Sequence, residues 1–232
     1  MKHTIACISD CHGKLPMIPP ADFLIIAGDI CPHHPDRSVR VGSADDIFYQ
    51  AQWLSGPFAD WLNQLPVKEV VATWGNHDCI GQKRPDMVAK NLRWHLLVDA
   101  GIEINGLKIY GSPWQPYFHD WYFNAPDGPE GEVFLDRKFS LIPESVDILL
   151  VHGPPKGYGD VAPDGRSCGS TSLLNHVMRT QPRLSVHGHI HCGRGSWTYA
   201  RGNASDGIIC NASVLNEAYQ LVHPALVFDI EV

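Results

Sequence analysis

At 232 residues the chain is long enough for one full-sized domain with a generous core. Apolar residues make up 44% and charged residues 19%, a globular balance that excludes intrinsic disorder. The formal net charge of −7, without any basic run, argues against duplex nucleic acid as a partner.

Taken in chain order, "HTIACIS" leads into Asp10 as a short, Ile-rich buried strand and leaves no room for a signal peptide. "ADFLIIAG" leads in the same way to Asp29. The segment 43–65 opens with Ser-x-x-Asp, an N-cap signature, and continues as a helix with apolar residues at mixed three- and four-residue spacings. "VKEVVATWG" is a strand ending at Asn76, and "DMVAKNLRWH" (86–95) is a shorter helical candidate. Asn105-Gly106, between two alternating runs in 101–112, predicts a hairpin. The Pro- and Gly-rich stretch 111–131 is long for a structureless loop, and such loops are often functional. "VDILLV" leads to His152, the segment 170–181 is helical, and "RLSVHG" leads to His189, after which two further strand-like stretches close the chain. The alternation predicts a layered α/β fold with a substantial mixed sheet, in a single domain over residues 1–232.

No apolar stretch approaches the ~18–20 residues that span a bilayer, so no membrane partner is expected. Seven scattered cysteines suggest reduced thiols and a cytoplasmic location. The "NAS" sequences at Asn203 and Asn211 are accordingly poor glycosylation candidates.

In open α/β sheets, ligands bind beyond the carboxyl ends of the strands. Those ends carry Asp10, His12, Asp29, Asn76, His77, Asp78, His152, His189 and His191. Oxygen and imidazole donors without a cysteine suit Mn, Fe or Zn. The set exceeds what one ion needs. Two ions roughly 3.5–4 Å apart sharing a carboxylate would use it, and phosphoester hydrolysis uses that arrangement. In "VHGHIHC" (186–192) three histidines alternate, so in an extended strand they would share a direction.

"SDCHG", "GDI", "GNHD", "VHGPP" and "GHIH" resemble, in order, the five sequence blocks of the calcineurin-like metallophosphoesterases. "GSPWQPYFHDWYFN", "HGPPKGYGD" and the later "NAS...PALVFDI" are similar to the branch holding animal metallophosphoesterase-domain proteins and their bacterial relatives. The resemblance implies a four-layer α-β-β-α sandwich of two mixed sheets and a phosphodiesterase-like activity. It assigns Asp10, His12 and His191 to one metal, Asn76, His152 and His189 to the second, and Asp29 as the bridge. A metal-bridging hydroxide would attack phosphorus in line, and His77, facing the substrate, would protonate the leaving group. Manganese is the expected metal, with iron or zinc as alternatives. His187 falls outside the motif and is expected to pack in support.

Two departures stand out. Many relatives carry an Asp three positions after the bridging one, which orients the catalytic His; Pro32 stands there, with His33 and His34 beside it. Cys11, Cys31, Cys79 and Cys192 lie within two residues of expected ligands or His77, either as small packing groups or as thiols lining the metal pocket. For substrate, Trp114 in the aromatic loop 114–122 could stack on a nucleobase and Arg194 could meet a phosphate oxygen, the bland alternatives being a loop core and a surface charge. The expected partner is a small phosphoester, cyclic nucleotides or small nucleotide phosphodiesters first. The rivals are a phosphomonoesterase or protein phosphatase on the same chemistry, a nuclease, and a non-catalytic scaffold.

Overall fold

A computed structural model describes residues 2–202 and 205–231. Strands β1 (Lys2–Ile8), β2 (Ala21–Ala27) and β3 (Val67–Thr73) form the parallel centre of a five-stranded sheet, flanked by the short β4 (His95–Leu96) and the antiparallel β11 (Leu226–Glu231). The second sheet has the order β5-β6-β7-β8-β10-β9. Its strands are β5 (Ala100–Ile104), β6 (Leu107–Ser112), β7 (Ile148–Val151), β8 (Leu184–His187), β9 (Gly195–Tyr199) and β10 (Gly207–Asn211). The inner four are parallel, and β5 and β9 run antiparallel at the edges.

The period of two along each strand divides its apolar residues between two cores. Ile5, Cys7, Phe23, Ile25 and Val71 face Ile109, Ile148, Leu150, Val186 and Cys210 between the sheets. Ala6, Ile8, Leu24, Ile26 and Ala72 point outward, onto Ile47, Leu54, Phe58 and Leu62 of the helical layer. On the far side Tyr110, Leu149, Val151 and Ile209 meet α4 (Glu130–Phe139) and α5 (Thr171–Thr180). Burial on both faces explains why the central strands read as continuous apolar runs. Fully burying a side chain the size of Phe23, Phe58 or Phe139 stabilises by about 1.5–3 kcal/mol. The result is the expected α-β-β-α sandwich of two mixed sheets.

The helix expected over 43–65 is present, with a local defect. Ser43 accepts a hydrogen bond from Asp46 N at 3.3 Å and starts α1 (Ala44–Trp53). A π turn, Leu54–Phe58, then absorbs Pro57, which lacks an N–H to donate, before α2 (Ala59–Gln64) continues. Asn105 and Gly106 take φ of 52° and 83°, as a type I′ hairpin turn requires. The segment 86–95 is not a helix. Only a 3₁₀ turn, Pro85–Met87, forms before Leu92, Trp94 and Leu96 pack into the outer core and His95 and Leu96 pair with β3. Tertiary burial there outweighs local helix propensity. Two helices lay outside the sequence expectations, α4 and the short α3 (Cys79–Lys83). Among the described residues no helix is long and apolar enough to cross a membrane.

Helix α1 also reaches the functional edge of the sheet. Its buried Gln50 donates from Nε2 to His77 O at 2.9 Å and accepts from Ile80 N at 3.1 Å. Gln50→Leu keeps the volume but leaves Ile80 N unpaired, while His77 O keeps its bond from Cys79 N, so it should lower unfolding free energy by about 1–3 kcal/mol in urea titration. An unchanged denaturation midpoint would contradict this bracing role.

Candidate dinuclear metal centre

The polar residues expected at the strand ends converge at one edge of the sandwich. Asp10 and His12 follow β1, Asp29 follows β2, Asn76 and His77 follow β3, and His152 directly follows β7. Four of the group hold left-handed backbone angles: Asp10 (φ 56°), His12 (42°), Asp29 (50°) and His189 (69°). Such angles in non-glycine residues cost of order 1–3 kcal/mol each and collect at functional sites. The strand-alternation argument for the closing histidines is corrected here. β8 ends at His187, and the left-handed turn at His189 followed by a 3₁₀ turn, His191–Gly193, aims the last two rings. His187 is itself fully enclosed, and neither of its ring nitrogens finds a hydrogen-bond partner.

Two groups of donors emerge. Asp10, His12 and His191 bring their ligand atoms within 4.8 Å of one another, and so do Asp29, His152 and His189. Asn76 Oδ1 sits 2.9 Å from both His152 Nε2 and His189 Nδ1. His152 Nδ1 donates to Ala27 O at 2.8 Å, so the Nε2 that faces Asn76 Oδ1 and, at 3.4 Å, Asp29 Oδ2 offers a lone pair once it is deprotonated. His191 repeats the pattern, Nδ1 on Asn216 O at 3.1 Å and Nε2 at 3.6 Å from Asp10 Oδ1. His12 Nε2 stands 3.6 Å from Asp29 Oδ2, and neither of its buried nitrogens has a hydrogen-bond partner. Acceptors facing acceptors in a buried site repel unless a cation lies among them. Ligands about 2.0–2.2 Å from one ion stand about 3–3.5 Å apart, so this donor set fits divalent metals.

The electrostatics agree. Burial pushes His12 and His189 down to about 4, the neutral form a metal needs. Burial works against ionised Asp29, yet His152, His77 and His12 hold it well below the usual carboxylate range. His152 is also opposed by burial, but Asp29 outweighs this and raises it to about 9. A cation beside Asp29 competes with that proton.

Asp78, one of the strand-end residues, serves as a brace, and Asn211 and Ser213, which the sequence did not single out for the site, brace it as well. The buried Asp78 accepts from Ile30 N (2.9 Å), Cys31 N (2.8 Å) and Gly75 N (2.7 Å), tying the loop after β2 to the loop after β3. Burial and the nearby Asp29 charge push it up to about 7. Asn211 belongs to a sequon in sequence, yet its buried amide donates to Ile190 O at 2.8 Å and Gly159 O at 3.2 Å. Ser213 of the same triplet donates from Oγ to Asp10 Oδ2 at 2.6 Å. The triplet is thus a brace for the metal loops; the other sequon, at Asn203, lies outside the described residues. Gly188 has no side chain because a Cβ there would collide with Ser9 Oγ and Asp10 Oδ2.

The two substrate candidates both make structural contacts. Trp114 packs on Phe123 and Phe134, donates Nε1 to Asp99 Oδ2 at 2.9 Å and lies under Lys138 Nζ, so it knits its loop to α4. Arg194 spends its guanidinium on the carbonyls of Ser213 and Pro224, both at 2.7 Å. Other rings surround the donors instead. Trp121 lies 3.9 Å from His77, Phe118 lies 5.2 Å from His189, and Tyr219 lies 4.8 Å from His12. Of the two histidines beside Pro32, His33 reaches the site, bringing a ligand atom within 4.8 Å of those of His12 and His77, while His34 turns onto Tyr49. A groove of about 840 Å³ opens beside His12, lined by Lys14, His33, Arg37, Tyr49 and Tyr219 among others. Cys11, Cys31 and Cys79 pack in the outer core, where burial pushes their thiols up, whereas Cys192 is exposed; all seven cysteines are free.

A paired carboxylate–imidazole site at the strand ends of an α-β-β-α sandwich defines a metal-dependent phosphoester hydrolase. Residues 3–193 match the model of the calcineurin-like phosphoesterases, and the chain belongs to that family. It is 34% identical to human metallophosphoesterase domain-containing protein 1, over 97% of this chain and 70% of that protein. It is 32% identical to a UPF0046 protein of Caenorhabditis elegans, over 97% and 59% respectively. Among solved structures, TT1561 of Thermus thermophilus shares the fold, with a TM-score of 0.53 and 15% identity over 91% of this chain and 89% of its own. A further crystal structure aligns with a TM-score of 0.65 at 16% identity, over 91% and 90%.

Metal uptake should release protons. His152 is held protonated up to about 9, and Nε2 must lose that proton to become a ligand. Divalent-metal affinity should therefore rise about tenfold per pH unit between pH 6 and 8 and level off above 9. Calorimetry in buffers of different ionisation enthalpy measures this; affinity independent of pH would contradict it.

Proposed function

We propose that the whole chain, residues 1–232, acts as one dinuclear-metal phosphodiesterase domain in the cytoplasm, hydrolysing small diesters such as cyclic nucleotides. The observation that carries this is the pair of three-donor groups joined through Asp29, whose Oδ2 faces His12 on one side and His152 on the other. In this reading Asp10, His12 and His191 hold one ion, Asn76, His152 and His189 the other, and Asp29 both. Manganese is the first choice, with iron or zinc suited to the same donors. Bound there, a divalent pair neutralises phosphoryl charge and supplies a nucleophile at neutral pH.

The chain's own groups complete the reaction. Water adds to phosphorus and releases a proton, the opposite phosphorus–oxygen bond breaks, and His77, whose burial favours the neutral ring, passes a proton to the departing oxygen as it takes up the one the water released. His77 is suited to that role because its backbone N–H is anchored on Asp29 Oδ1 at 2.7 Å while Nε2 stands 3.9 Å from Asp29 Oδ2. The groove beside His12 favours a diester over a monoester. It has room for a second ester substituent. Phe118 and Tyr219 offer faces on which a nucleobase can stack, each stack worth roughly 1–3 kcal/mol.

Metal-loaded protein should turn over bis-p-nitrophenyl phosphate in preference to p-nitrophenyl phosphate; the reverse preference would point to a phosphomonoesterase. Asn76→Ala and His189→Ala should each abolish turnover, and His77→Ala should lower kcat about 10²–10⁴-fold for diesters with alkyl leaving groups. Undiminished hydrolysis by both ligand variants would remove the dinuclear reading.

A further inference from the structure

Many relatives orient the catalytic imidazole with a carboxylate three residues after the bridging Asp, but Pro32 occupies that position. Accordingly His77 Nδ1 is buried without any hydrogen-bond partner. The backbone of His77 is secured by Asp29 and Gln50, and its Nε2 stands 3.9 Å from Asp29 Oδ2, but among the described residues no hydrogen bond fixes the rotation of its ring. Aromatic faces surround it instead. Trp121 lies 3.9 Å away at an interplanar angle of 38°, while His12 and His33 stand edge-on at 4.5 and 4.6 Å.

Trp121 is itself secured from both sides. Its carbonyl accepts from Asn124 Nδ2 at 3.2 Å, and the next residue, Tyr122, donates its N–H to Asn76 O at 3.2 Å. The second contact links the aromatic loop directly to the residue preceding His77. The indole is half-buried, and its outer side borders a cavity of about 800 Å³ lined by Arg40, Lys83 and Tyr122.

We infer that Trp121 is a positioning residue, whose indole face replaces the missing carboxylate by holding the His77 ring in the orientation from which Nε2 meets the leaving-group oxygen. This rests on the reading of His77 as proton donor. A misplacement of about 1 Å at such a group can cost on the order of 10²-fold. The cost should fall on substrates whose leaving group needs a proton. p-Nitrophenolate departs without one, whereas an aliphatic alkoxide does not.

The test compares phosphodiesters of graded leaving-group basicity in wild type, Trp121→Ala, Trp121→Phe, His77→Ala and the Trp121→Ala/His77→Ala double variant. Melting temperature and metal content per chain are measured for each. Trp121→Ala should lower kcat about ten- to a hundredfold for alkyl leaving groups and about twofold or less for p-nitrophenyl, with KM nearly constant and two metals retained. Trp121→Phe should recover most of the loss, and on the His77→Ala background the Trp121 change should add nothing. Equal loss across all leaving groups, a rise in KM alone, or additive losses in the double variant would overturn the inference while leaving His77 as the acid. A His77→Ala variant insensitive to leaving-group basicity would overturn both.

Discussion

The Asp29 carboxylate sits beyond β2 with its Oδ2 oxygen 3.4–3.9 Å from the Nε2 atoms of His152, His12 and His77. It is almost wholly withdrawn from water, where an unpaired charge costs several kcal/mol even after relaxation. Among the described residues one backbone N–H, that of His77, donates to the Asp29 carboxylate. The remaining balance must come from positive charge, and the surrounding nitrogens are spaced for ions rather than for hydrogen bonds. Much of the neighbouring structure keeps this carboxylate in place: the left-handed backbone at Asp29, Asp78 gripping the amides just after it, and a glycine at position 75, where a Cβ would strike Asp29 Oδ1.

That arrangement explains which parts of the molecule were legible in the sequence. Strands buried on both faces must be short and continuously apolar, so β1, β2, β3, β7 and β8 announced themselves and each pointed to the candidate donor that follows it. The donors were readable for the same reason, since Asp, Asn and His directly after an apolar run have few structural excuses in combination. The hairpin at Asn105-Gly106 and the cap at Ser43 were readable because both depend on local chemistry.

What stayed hidden depends on long-range contact. Residues 86–95 carry a helix-like pattern, yet β3 recruits His95 and Leu96 as a strand and the core takes Leu92 and Trp94. Asn211 and Ser213 look like a glycosylation triplet, and only the fold shows them pinned to Ile190 and Asp10. Trp114 and Trp121 are equivalent in composition, but one faces α4 and the other His77. Arg194 follows His191 by three residues, and its reach is decided by the 213–224 segment that it braces.

The central claim is that two ions share Asp29. Anomalous scattering from crystals of manganese-loaded protein tests it most directly. The account predicts two peaks about 3.5–4 Å apart with the Asp29 carboxylate between them. A single peak, or two peaks of which only one contacts Asp29, would contradict it.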